Sequence, residues 1–274
     1  MYEDDFNIEE WKAKKREERQ AAFTAQEQAL HGVFASGQKL ADYFYQRGKL
    51  GSHITAGNTA LILNANPLAC AVMSAEEWNK YGRRVSKGAV GIPQIVRNNG
   101  YYAVAKVFDI SQTYGNKPYP IASVQENQLA QAVKAFAAVS PIPFSYTSDS
   151  GSLHYDAQQD EIVIPNEMPD EEVIQRLPAQ IVLASAEHSY EKISENEFMK
   201  QTAAAVAVEV CGRLGLAMPP DAAELLNGMQ AHIPEGEERR ALEQVRELAA
   251  AFGDFVCRQL KLERGQPAPQ REER

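Results

Sequence analysis

The sequence predicts an α+β fold, with helices toward both ends, a small antiparallel sheet in the first half and a β-hairpin in the second. Three observations carry this. Apolar residues recur at helical spacing before residue 65 and again after residue 170. Short β-rich runs at 93–110 and 152–165 are bounded by Asn, Gly and Pro. Between them, YGNKPYPIASVQEN at 114–127 has no period and is full of turn residues, so a domain boundary falls there. The expected units are 1–118 and 119–264, followed by a polar tail at 265–274 with two prolines and no fixed structure.

Taken in order, residues 6–30 are helical in composition, with a sparse apolar face of Trp11, Phe23 and Leu30. The cluster from Lys12 to Arg19 reads as its solvated side. From Leu30 to Tyr45, Val33, Phe34, Leu40, Tyr43 and Phe44 form a helical stripe, with Gly48 and Gly51 punctuating its end. The run Ala60–Leu63 predicts a buried helix over Asn58–Asn64, stopped by Asn66-Pro67. Ser74 with Glu77 three residues on makes a capping box for a short helix to Tyr81. GRRVSKGAVGI at 82–92 follows, rich in glycine and base, and then strands at Pro93–Val96 and Tyr101–Ile110 joined by an Asn98–Gly100 turn.

In the second half, Leu129–Val139 reads as a helix, and Pro141 and Pro143 enforce an extended connector. SLHYDAQQDEIVIP at 152–165 gives two strands joined near residues 157–160. Asp170 caps a helix running to about Lys192, with Pro178 forcing a restart or kink. Thr202–Leu216 is an Ala/Val-rich buried helix, and Gly236–Leu262 a long amphipathic one.

Composition bounds the function. Cys70, Cys211 and Cys257 lie far apart with no CxxC pair, which points to reduced core thiols and a cytoplasmic setting. The start is acidic, the opposite of a signal peptide, and no run reaches the roughly 18 apolar residues of a membrane helix. Net charge is −9, but it divides unevenly, +3 over residues 1–124 and −12 over 125–274. Within 47–117, nine Lys and Arg face three acids (Glu76, Glu77, Asp109). Such asymmetry fits a polyanion partner for the first half, or simply a mildly basic surface.

Three stretches carry a family resemblance. GNTALILNANP at 57–67, EEWNKYGRRVSKGAVGI at 76–92 and KVFDISQT at 106–113 resemble, in order and spacing, the N-terminal domain of ArdC-type antirestriction proteins. It covers about residues 30–115. The resemblance implies binding of single-stranded DNA and an origin in a plasmid or conjugative element. The second half resembles the domain that follows in such proteins, a zincin-like metallopeptidase of the ImmA/IrrE or SprT-like kind, through SPIP at 140–143, the 152–165 hairpin and two helices in order.

The chemistry of that second domain is missing. A zincin needs HExxH on one helix, because i and i+4 place two imidazoles on one face with a Glu to activate the zinc-bound water. The five histidines (His31, His53, His154, His188, His232) include no pair four apart. Laid on AQIVLASAEHS at 179–189, the resemblance puts Ile181, Val182 and Ser185 at the His, Glu and His positions, and Ala204 at the acidic-ligand position of the next helix. We therefore expect no catalytic residue, no metal and no cofactor, with the two helix faces closing on each other as a dry core. Glu187, His188 and Glu191 as a displaced metal site, and Ser185 with His188 as a nucleophile pair, are both weaker than a solvated helix end.

The candidate DNA contacts are Lys80, Arg83, Arg84 and Lys87 for phosphates, with Trp78 and Asn58 beside them. Trp78, Tyr81, Tyr101 and Tyr102 are either base-stacking platforms or core residues, and sequence leaves this open. GRRVSKGAVGI lacks the GxxxxGK[ST] pattern of a phosphate loop. The expected function is a DNA-binding accessory protein related to antirestriction, with no membrane association and with a protein partner for the C-terminal half. Two alternatives stand: a protein-interaction module without DNA affinity, whose acidic half mimics nucleic acid, and an enzyme built from residues in no known pattern.

Overall fold

The computed structural model describes residues 7–98, 100–119, 121–189 and 195–262. The fold is α+β. Helix α1 (Ile8–Val33) starts where the Asn7 side chain accepts from the amides of Glu9 and Glu10. The predicted helix across 30–45 is corrected: the chain turns at 34–36, and the Ser36 hydroxyl caps a new helix, α2 (Gly37–Leu50), by accepting from the Lys39 amide. A Ser-Gly pair inside an apolar stripe is a start signal. Helix α3 (Ala56–Ala65), capped by Thr55, is buried over most of its length.

Strand β1 (Val72–Met73) precedes α4 (Ala75–Tyr81), whose capping box between Ser74 and Glu77 forms as expected. Then come β2 (Arg84–Val85), β3 (Ile92–Asn98), β4 (Tyr101–Asp109), a 3-10 turn at Ile110–Gln112 and β5 (Thr113–Tyr114). The sheet order is β1-β4-β3, all antiparallel, and β2 pairs antiparallel with β5. Gly100 sits at φ +82° in the hairpin turn, the left-handed conformation that favours glycine; Asn99 lies outside the described residues.

The second half holds α5 (Leu129–Ala137), β6 (Phe144–Thr147), β7 (His154–Asp156) and β8 (Glu161–Pro165), then α6 (Asp170–Glu187), α7 (Glu197–Leu214), α8 (Ala222–Leu225) and α9 (Glu238–Gln259). Strands β7 and β8 form the expected hairpin, and the Pro141–Pro143 connector leads into β6, a strand that sequence misses, parallel to β8. Pro169, not Asp170, caps α6, which runs unbroken through Pro178. Ile174, Leu177 and Ile181, all fully buried, hold both sides of the proline against the core. Lys192 and the 265–274 tail lie outside the described residues.

Between 115 and 125 the described backbone has no regular structure, yet the core crosses that segment. One apolar cluster joins Leu30, Phe44 and Ala60 to Ile174, Val206 and Val245. Helices α2 and α7 approach backbone to backbone. A Cβ on Gly48 would stand 2.1 Å from the Glu209 carbonyl oxygen, and one on Gly212 would stand 2.0 Å from that of Tyr45. Gly48 is therefore a contact residue inside α2, and Gly51 at φ +107° is the terminator. Beside this contact, Arg47 Nη1 donates to both Glu209 oxygens (2.9 and 3.0 Å), with side chains 0% and 5% exposed.

Candidate nucleic-acid interface

The residues that carry the resemblance act first as clamps. Asn58 is buried on α3, where its amide donates to the Ile95 carbonyl and accepts from the Ile95 amide (2.8 and 2.9 Å), pinning β3. Trp78 is 0% exposed, and its indole N–H donates to the Phe108 carbonyl at 2.7 Å. Asn58 and Trp78 are thus corrected from DNA contacts to framework, since neither presents a free face. Asp109 is also buried: one oxygen accepts from the amides of Cys70 and Ala71, the other from the amide and hydroxyl of Ser111. Gln112 closes the turn by accepting from the Asp109 amide and donating to the Val90 carbonyl.

Arg83 is half-buried and already engaged. Its Nε donates to the Thr113 hydroxyl (2.9 Å), Nη1 to the Lys117 carbonyl (2.8 Å) and Nη2 to the Thr113 carbonyl (3.2 Å). A guanidinium so engaged fastens the 113–117 segment. Tyr81 donates its hydroxyl to the Pro118 carbonyl, and the Lys117 ammonium lies 4.4 Å from the centroid of the Tyr81 ring.

These clamps present a small platform. Arg84 on β2 stands directly opposite Tyr114 on β5, and both are exposed, the ring at 56%. Beyond β2, the Ala89 amide donates to the Ser86 carbonyl and closes a turn, with Gly88 at φ +82°. Lys87 is the exposed residue before that glycine, so it projects from the tip. Among the described residues neither Arg84 nor Lys87 has an ion-pair partner. Lys80 is exposed too, in a surface pair with Glu76 (2.7 Å) that holds its pKa above the ordinary lysine value. Such a pair is weak enough for a phosphate to compete with it. Arg47, one of the nine bases, is buried and adds nothing to the surface.

Sequence missed a second basic face. Lys12, Lys15, Arg16 and Arg19 of α1 lie beside Tyr102 at the end of the β3–β4 hairpin. A Trp11-Lys15-Arg19 spacing of four was the available signal, but nothing in it says what the helix packs against.

In the second half, Ile181 and Val182 are buried, and Ala203, Ala205 and Val206 are fully so. The expected dry closure is corrected in one respect. Ala179, Leu183, Ala203, Ala204 and Ala207, with Arg176, Lys200 and Asp221 on its polar side, border a cavity of about 260 Å³ where α6 and α7 meet the Pro219–Leu225 segment. Among the described residues no three His, Cys, Asp or Glu side chains gather as a metal-holding group. Ser185 donates to the Ile181 carbonyl one turn back. His188 instead meets Asp160 (Nε2 to Oδ1, 2.7 Å), which also accepts from the Tyr155 hydroxyl at 3.0 Å. The His188 contact holds the Asp160 carboxyl below its ordinary range, while burial and then Asp160 push Tyr155 up to about 12. Glu191 lies outside the described residues. Among the described residues no helix is long and apolar enough to cross a membrane.

No protein-family model and no curated protein matches the chain. Among solved structures it is similar to the antirestriction ArdC protein from the R388 plasmid. The metal-free crystal structure is 12% identical over 76% of this chain and 86% of that one, with a TM-score of 0.46. The Mn(II)-bound structure is 15% identical over 81% and 97%, with a TM-score of 0.48. At TM-scores below 0.5, function must be sought in this chain's own residues.

Proposed function

We propose that the protein binds single-stranded DNA through its N-terminal half and serves a plasmid or other mobile element in an antirestriction-related role. The observation that carries this is the platform of Arg84, Lys87 and Tyr114. Exposed cations with an exposed ring opposite one of them are what a sequence-tolerant single-strand binder uses: the cations meet phosphates and the ring stacks on a base. The resemblance of 57–67, 76–92 and 106–113 agrees, and it gains a physical content. Asn58, Trp78, Arg83 and Asp109 hold the platform in place, and Arg84 and Lys87 do the contacting.

The C-terminal half, in this proposal, has no zinc peptidase activity and acts as scaffold and protein-binding surface. Its support is the donor set. Ile181, Val182, Ser185 and Ala204 stand at the motif positions, and an isoleucine, a valine and an alanine can neither ligate zinc nor activate its water.

The experiment is fluorescence anisotropy of a labelled oligonucleotide, titrated with the wild type and with Arg84→Ala/Lys87→Ala. Each phosphate contact removed should lower the slope of log affinity against log salt by roughly 0.7 for a single strand. Unchanged affinity and slope in the double variant would remove the platform as the working surface. Stoichiometric zinc in the purified protein, together with peptide hydrolysis, would overturn the reading of the second half.

A further inference from the structure

The cavity bordered by α6 and α7 has two ends of opposite chemistry. Arg176, Ala179, Gln180 and Leu183 line it from α6, and Lys200, Ala203, Ala204 and Ala207 from α7, in each case positions i, i+3, i+4 and i+7 of one helix face. The two helices run antiparallel. Near the start of α6, Gln175 Nε2 donates to the Ala217 carbonyl (3.2 Å) and Arg176 Nη1 to Asp221 Oδ2 (3.1 Å), which ties that end to the segment just beyond α7. Lys200, in the first turn of α7, therefore falls at the other end, by Leu183. From Arg176 to Leu183 the helix rises about 10 Å.

At the first end, Arg176 takes Asp221 Oδ2, while Oδ1 is out of solvent and has no hydrogen-bond partner among the described residues. A buried carboxylate oxygen without a donor is costly, so this end calls for one. At the second end, Lys200 is exposed and has no ion-pair partner among the described residues. Between them Gln180 Oε1 accepts from the Tyr155 amide at 2.9 Å, which leaves its Nε2 to donate. Of the four positions that the resemblance assigns to zinc chemistry only Ala204 borders the cavity, so it is a different place from a metal cleft. We propose that the cavity binds a short apolar peptide, about three residues long with both ends free, since an extended chain advances about 3.3 Å per residue. The inference deepens the reading of the C-terminal half as a partner-binding surface and is independent of DNA binding. The peptide's α-ammonium meets Asp221 Oδ1, its α-carboxylate meets Lys200, and a central carbonyl accepts from Gln180 Nε2. Its aliphatic side chains lie on Ala203, Ala204 and Ala207, in a space of about 260 Å³ whose open side is marked by Leu225, 48% exposed. A fatty acid would satisfy Lys200 and the alanine wall but leave the Asp221 oxygen unpaired against hydrocarbon.

The test is isothermal titration calorimetry of the wild-type protein with the tripeptide Ala-Leu-Ala, with its N-acetylated form and with its C-amidated form. Saturable binding at millimolar concentration or below is expected for the free peptide. Each blocked form should bind about tenfold or more weaker, because each block removes one charge-assisted hydrogen bond. Lys200→Gln, at an exposed position, should weaken the free peptide by a similar factor and leave the amidated one unchanged. Ala204→Leu occupies the trough and should abolish binding without lowering the melting temperature. Blocked peptides that bind as well as the free one, or unimpaired binding by Ala204→Leu, overturn the proposal. Lack of any binding overturns the cavity and leaves the inactive-scaffold reading of this half standing, whereas zinc-dependent cleavage of the peptide overturns both.

Discussion

Removing Arg47 should unfasten the two halves of the molecule. Its guanidinium holds both oxygens of Glu209 and the Ile54 carbonyl (Nη2, 3.3 Å), at a place where both charged side chains are essentially out of water. Arg47→Met keeps much of the volume but strips the carboxylate and one carbonyl of their donors. Breaking a buried pair from one side costs about 3–5 kcal/mol, because the remaining carboxylate is out of water and left to the attraction of Arg213 and Arg246. The loss depends on pH in a definite sense. Burial pushes Glu209 up to about 7 against the attraction of Arg47, so between the ordinary carboxylate value of 4.5 and about 7 the folded chain binds more protons than the unfolded one. Stability therefore falls as pH rises through that window. Without Arg47 the carboxyl takes up a proton more readily still, so Arg47→Met is more damaging at pH 8 than at pH 6. Replacing both partners with apolar residues, Arg47→Met/Glu209→Leu, should recover most of the loss. Urea unfolding followed by circular dichroism at the two pH values is the assay. A loss under about 1 kcal/mol at pH 8, or a double variant worse than the single one, would refute the reasoning.

Three further outcomes follow from the packing. Gly48→Ala places a methyl 2.1 Å from the Glu209 carbonyl and should destabilise by about 1–3 kcal/mol or more, whereas Gly32→Ala, with nothing within 4 Å inside α1, should stabilise by roughly 0.5–1 kcal/mol. Thermal melts of the two side by side check this, and equal shifts would contradict the α2–α7 contact. Asp109→Ala deprives the Cys70, Ala71 and Ser111 amides of their acceptor and should cost about 1–3 kcal/mol or more by chemical denaturation, with the first effect at the 84–114 platform, visible as faster amide exchange there. Ala204→Leu extends into the cavity between α6 and α7 and should raise stability by about 0.5–2 kcal/mol; a lowered melting temperature would mean that space is not open to a side chain.

Much of the fold is legible in the sequence because its signals are local. The Ser74–Glu77 capping box, the hairpin around Gly100 and the helices at 129–137 and 197–214 depend on neighbours in the chain. The break at Ser36 and the strand at 144–147 are harder to see, the first because an apolar stripe runs across it and the second because four residues carry no usable period. The site is legible in place but not in role. Asn58, Trp78 and Arg83 have the right chemistry to meet DNA, and sequence cannot say that a backbone carbonyl reaches each of them first. The place of the basic face of α1 is hidden for a different reason: Arg19 and Tyr102 are 83 residues apart, and only the tertiary fold brings them together.

The central claim is that the N-terminal half binds single-stranded DNA, and its most direct test is the anisotropy of a labelled single-stranded oligonucleotide titrated with the wild-type protein at low and moderate salt, with unlabelled duplex as competitor. Saturable binding that weakens steeply with salt and resists duplex of equal length is the expected result. Lack of binding at low salt, or equal displacement by duplex, would contradict it.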